Sequence, residues 1–71
     1  MGRTVRITGE SIRLGQLLKL SGAAADGTEA KSMIASGDVE VNGEIEQRRG
    51  RQLRDGDRVR AAGEDLRVRR S

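Results

Sequence analysis

Four arginines, Arg48, Arg49, Arg51 and Arg54, fall within seven residues of this 71-residue chain, inside the stretch VNGEIEQRRGRQLRDGDRV from Val41 to Val59. A guanidinium stays charged at neutral pH and forks onto a phosphate or carboxylate with two parallel hydrogen bonds, so the chemistry of such a run is the gripping of anions. With neutral Gln52 taken as the only polar neighbour, four gathered guanidiniums repel one another, and phosphates relieve that cost. Gly50, within the run, lets the backbone turn or come close to a ribose-phosphate chain, or else marks a bulge. A second candidate lies at Asp26-Gly27-Thr28-Glu29. There Thr28, Lys31 and the free amides near Gly27 gather at a helix N-terminus, where unpaired N–H groups and the positive dipole end favour a phosphate. The competing use of those amides is ordinary capping by Asp26, which sets a carboxylate at the same place.

Little else in the chain could do chemistry. Histidine and cysteine are absent, which removes the commonest general base, the commonest metal ligand, thiol nucleophiles and disulfides together. Scattered carboxylates such as Asp55 and Asp57 read as turn formers that balance arginines. No enzyme activity, cofactor or metal is expected. Net charge is +3, and its distribution is uneven. From Met1 to Gly43 five basic residues meet five acidic ones, whereas nine arginines and no lysine face six carboxylates in the remainder. That excess points to a polyanion partner; a basic surface kept for solubility is the plainer alternative. Arg67, Arg69 and Arg70 read as a solvated tail.

The elements that hold these residues follow from pattern. Val5-Arg6-Ile7 alternates as a short strand. Leu14, Leu17 and Leu18 form one helical stripe, with Ser11 as N-cap and Gly22 past the end, so a helix runs from about Arg13 to Ser21. Asp26 and Glu29 have the spacing of a capping box, opening a second helix with the stripe Ala30, Met33 and Ile34 that Gly37 ends. Beyond Gly37 the period drops to 2: Val39 and Val41 alternate, Asn42-Gly43 signals a type I′ hairpin, Ile45 returns, and Asp55-Gly56 makes a further turn before Val59. The alternation pauses at Ala62-Gly63-Glu64 and resumes through Leu66 and Val68. A chain of this length folds as one domain, residues 1–71, burying only about 60% of its unfolded surface. The fold class is α+β: two packed helices against a small, bent antiparallel sheet of four to five strands, the first paired with the last to protect exposed edges.

Several of these residues together resemble the S4-like RNA-binding domain, named for the small-subunit ribosomal protein. The resemblance rests on Arg13-Leu14, Leu17-Leu18-Lys19, Ala30 with Met33-Ile34, then Gly37-x-Val39-x-Val41-Asn42-Gly43 and Gly56-Asp57-x-Val59, and covers Arg13 to Val59 with flanking strands on both sides. The chain is most similar to short standalone bacterial members whose loop carries an Arg-Arg-Gly-Arg run, here Arg48 to Arg51. It departs from the family pattern at Asp26-Gly27, where a Ser-Arg pair is common, and at Gly15, where aspartate is frequent. The resemblance implies binding of structured RNA, ribosomal or transfer RNA or a ribosomal particle, through the helical pair and the adjoining loop. The residues expected to make contact are Arg13, Lys19, Thr28, Lys31, Arg48, Arg49, Arg51 and Arg54.

Without an aromatic ring, bases cannot stack as they do in most single-strand readers, so shape and phosphate backbone are the expected targets. No helix carries the polar and basic row of a major-groove reader. The alternative is a protein-interaction adaptor that turns its arginines to an acidic partner. No apolar run reaches the roughly 20 residues of a membrane span and the N-terminus lacks an apolar signal-peptide core. The protein is therefore expected to be a cytoplasmic monomer with no membrane and no small-molecule substrate.

Overall fold

The computed structural model describes residues 2–71. Its elements run β1 (Gly2–Ile7), β2 (Ile12–Arg13), α1 (Leu14–Ser21), α2 (Gly27–Ala35), β3 (Glu40–Val41), β4 (Glu44–Ile45), β5 (Gln52–Leu53), β6 (Arg58–Ala61) and β7 (Glu64–Arg70). Five strands make the main sheet in the order β1-β7-β6-β3-β4, and β2 pairs with β5 in a separate two-stranded piece. This is the expected α+β arrangement. Leu14, Leu17, Leu18, Ala30 and Ile34 of the helices share one buried cluster with Val5, Ile7, Val41, Val59, Ala61, Leu66 and Val68 of the sheet. Each fully buried leucine or valine contributes roughly 1.5–3 kcal/mol, and in a chain without aromatics these aliphatics supply the core.

One pairing departs from the antiparallel expectation. β1 does lie beside β7, but parallel to it, with Val5 level with Val68 and Ile7 with Arg70. Parallel neighbours need a long crossover, and here the two helices and the five strands between them provide it. Arg67, Arg69 and Arg70 are consequently no loose tail. They belong to β7, a seven-residue strand flanked by β1 on one side and β6 on the other.

The turns follow their chemistry. Asn42 and Gly43 both take positive φ (52° and 88°), the type I′ geometry that joins β3 to β4. The pause at Ala62-Gly63 is a second turn with positive φ at both residues (53° and 73°), linking β6 to β7. Asp55-Gly56 turns the chain out of the small sheet and into the large one. The Asn-Gly and Gly-Asp motifs are in contact: Asn42 Nδ2 donates to Asp57 Oδ1 at 3.1 Å, and Asn42 Oδ1 accepts from the Arg58 amide at 3.0 Å. Asp57 Oδ2 accepts from the Arg54 amide at 2.8 Å, so one carboxylate fixes both turns.

α2 opens as its capping box predicts, with the Glu29 amide donating to Asp26 Oδ1 at 2.8 Å, while the Glu29 carboxylate reaches back to the amide of Ala25 at 2.9 Å. α1 does not open on Ser11. Ile12 and Arg13 pair with Leu53 and Gln52 as a short strand, which moves the helix start to Leu14. Arg13 supplies no side-chain cap. Two backbone carbonyls from the distant arginine run take that place: the Leu14 amide donates to Arg51 O at 2.8 Å and the Gly15 amide to Arg49 O at 3.1 Å.

Candidate nucleic-acid interface

The carbonyl caps on α1 bring the arginine loop against the helix pair, and an open groove of about 670 Å³ lies where α1, α2 and the loop meet. Five of the eight residues expected to bind line it: Arg13, Lys19, Thr28, Lys31 and Arg49. No carboxylate is among the lining residues, and none of its four cations has a carboxylate within ion-pairing distance among the described residues.

Each side chain is placed by a traceable cause. Arg13, Gln16 and Lys19 recur at three-residue spacing on the face of α1 away from its buried Leu14, Leu17 and Leu18. Lys19 sits in the last turn of α1, yet its Nζ would lie only 4.0 Å from a Cβ built on Gly27, the first residue of α2. The lysine charge therefore sits beside the positive end of the second helix. Gly27 and Thr28 line the groove there, and the amides of a first helical turn have no partner inside the helix. Asp26 takes the Glu29 amide and so caps part of that turn, as the competing reading required. Lys31 follows one turn later on the exposed face of α2.

Arg49 reaches the groove because residue 15 is glycine. A Cβ there would stand 2.8 Å from Arg49 Cγ, closer than real side chains approach, and in ordinary contact with Cδ at 3.5 Å. The helix-weakening Gly15 thus opens the path along which the loop arginine crosses α1.

Arg48, Arg51 and Arg54 are placed elsewhere, and the supposed lack of a counter-anion is corrected by Glu46. This residue is only 7% exposed. Its carboxylate accepts from Arg51 Nη1 at 2.7 Å, from Arg48 Nε at 3.1 Å and from the Arg48 amide at 3.1 Å. The side-chain bond from Arg48 first, then that from Arg51, holds the Glu46 carboxyl down at about 2, below its ordinary 4.5. The Glu46 amide is itself tied to Val39 O at 3.0 Å, which anchors the assembly to the sheet side of the core. Arg54 is exposed and lies outside the groove, its backbone engaged by Asp57. Sequence reasoning missed two residues. Glu46 was signalled by the local spacing Glu46-x-Arg48-x-x-Arg51, and Gln16 by its place between Arg13 and Lys19.

Among the described residues no helix is long and apolar enough to cross a membrane, and no group of three or more metal-ligating side chains is gathered.

Comparisons with known proteins agree with the fold. The family model described as the S4 domain matches residues 5–69. The chain is 41% identical over 63 residues to a probable ribosome maturation protein, RlbA, of Bacillus subtilis (strain 168), covering 89% of each. Its fold is similar to the solution structure of YbcJ from E. coli, described as revealing a motif involved in RNA binding, with a TM-score of 0.72, 34% identity and coverage of 93% of this chain and 85% of that one. The 30S ribosomal protein S4e of Thermoplasma acidophilum is also similar, with a TM-score of 0.64 and 25% identity over 84% of this chain and 32% of the larger protein. The chain belongs to the S4 domain family.

Proposed function

We propose that this protein binds structured RNA, ribosomal or transfer RNA, and works on a ribosomal particle. The observation that carries this reading is the groove itself, in which four cations converge on a helix N-terminus with no carboxylate in the lining, Asp26 capping the Glu29 amide beside it. Lys31, Thr28 and the first amides of α2 hold one phosphate, with Lys19 supplying a second charge from α1. Arg49 forks onto a neighbouring phosphate or lays its plane on a base, and Arg13 and Gln16 extend the contact along α1. Arg48 and Arg51 serve by holding the loop that presents Arg49. The similarity to YbcJ, whose motif is described as involved in RNA binding, and to a probable ribosome maturation protein supports the same reading.

With no aromatic platform, affinity comes from phosphate and shape, and sequence preference is slight. Four phosphates neutralised in the groove contribute roughly −3 to −4 to the slope of log K against log salt. Filter binding of refolded ribosomal RNA across a salt series tests this. The variant Lys19→Glu/Lys31→Glu is expected to lose about a hundredfold in affinity and to flatten the slope by about 2. Unchanged affinity, or a wild-type affinity indifferent to salt, would sink the reading.

A further inference from the structure

The helices cover one face of the main sheet. Along its strands Val5, Ile7, Val59, Ala61, Leu66 and Val68 are buried beneath them, so the alternate residues Thr4, Arg6, Arg58, Arg60, Arg67 and Arg69 stand on the opposite face. A shallow depression of about 750 Å³ runs across that face, lined by Thr4, Arg58, Arg60 and Arg67 together with two carboxylates, Asp65 and Glu40, the latter opposite Arg60 in the register. Two like-charged pairs are directly opposed in the strand register: Arg58 with Arg67, and Arg6 with Arg69. Directly opposed like charges destabilise a sheet. Two of the five arginines have carboxylate partners, Arg60 with Asp65 at 3.8 Å and Arg69 with Asp55 at 4.0 Å. Arg6, Arg58 and Arg67 have none among the described residues.

We propose that this outer sheet face is a second RNA-contacting surface, gripping the phosphate backbone of a different RNA segment from the one held in the groove; the inference rests on the RNA-binding reading above. The backbone positions that carry these arginines stand on a lattice fixed by the sheet, about 4.8 Å apart across strands and about 6.6 Å apart along them, and each side chain ends in a fork suited to phosphate oxygens. A protein partner fits less well. Protein interfaces centre on apolar and aromatic side chains, whereas the register here places Arg67 between Thr4 and Arg58 at the middle of the face. Bound phosphates relieve the repulsion that the isolated sheet carries. The protein would then join two RNA segments, one at the helices and one at the outer sheet face.

The test is Arg58→Thr/Arg67→Thr, which keeps strand-forming residues and removes one opposed pair. Refolded ribosomal RNA is the probe, with melting temperature measured in parallel. The expected result is a melting temperature equal to or above wild type, with affinity about tenfold lower and a salt slope shallower by about 2. Unchanged affinity and slope overturn the proposal, and so does an affinity loss that merely tracks a fall in stability. Loss of binding to polyglutamate with RNA binding intact assigns the face to an acidic protein and overturns it as well. Lys19→Glu/Lys31→Glu measured alongside separates the two surfaces: if that variant binds normally while the sheet variant does not, the groove reading fails and the sheet surface stands.

Discussion

Arg49 and Arg51 stand two residues apart in one loop, carry the same group, and are placed in opposite surroundings. Arg51, with Arg48, turns to the buried carboxylate of Glu46 and makes a closed ionic knot against the sheet side of the core. Arg49 turns the other way, over Gly15, into a groove that holds no carboxylate. The difference teaches that a run of arginines is not one feature. A guanidinium that meets a carboxylate is spent on architecture, and one that meets only other cations is left to find an anion outside the chain. The knot and the groove depend on each other, because the loop the knot fixes is the loop whose carbonyls cap α1 and whose Arg49 faces the helices.

Reversing the charge at the centre of the knot breaks the comparison most severely. Glu46→Lys gathers three cations where two were neutralised, so the loop detaches from α1. Amide exchange at Leu14 and Gly15, which donate to the carbonyls of Arg51 and Arg49, is expected to accelerate at least about tenfold, with RNA binding lost as Arg49 is released. Slow exchange in that variant would mean something other than Glu46 holds the loop. A paired substitution sharpens the contrast at smaller cost. Arg49→Gln is expected to lower RNA affinity about fivefold with an unchanged melting temperature, whereas Arg51→Gln lowers the melting temperature by a few degrees and leaves the affinity of the folded protein near wild type. Identical behaviour of the two variants would erase the distinction.

The mildest perturbation is acid. Glu46 has a folded value of about 2 against an ordinary 4.5, so it is depressed by folding, and its contribution is present above about 4.5 and lost as pH falls toward 2. Melting temperatures of wild type and Glu46→Gln should differ near neutrality and converge across that interval. A gap that stays constant to pH 2 would show that the knot owes nothing to ionisation.

Much of this was legible in the chain because it is local. Asn42-Gly43 needs positive φ, Asp26 and Glu29 sit one helical turn apart, and Leu14, Leu17 and Leu18 fall on one stripe; each required only near neighbours in sequence. What escaped was long-range. Ser11 is a sound N-cap on local grounds, and it lost because Leu53 pairs with Ile12 and the carbonyls of residues 49 and 51 occupy the first amides of α1. The groove was half legible: residue types and the family resemblance named Arg13, Lys19, Thr28, Lys31 and Arg49. The spacing Glu46-x-Arg48-x-x-Arg51 was the one local sign that set Arg51 apart from Arg49; the path that Arg49 takes depends on Gly15, more than thirty positions earlier. The arginines after Leu66 read as a tail, although the first and last strands were expected to pair, because nothing local shows that the pairing with β1 runs on as far as Arg70.

The carbonyl caps on α1 have a further consequence, for folding. Residues 14 and 15 meet residues 49 and 51 across a stretch of chain that contains both helices and the first hairpin, so the groove rests on contacts between segments distant in sequence. A partly folded chain carries every charge of the native protein and none of its site. An RNA held in the groove would bind the finished state alone and raise its melting point in proportion to the logarithm of the RNA concentration. Polyanion and fold would in that way complete each other, and a chain released from its RNA would be the one first exposed to unfolding.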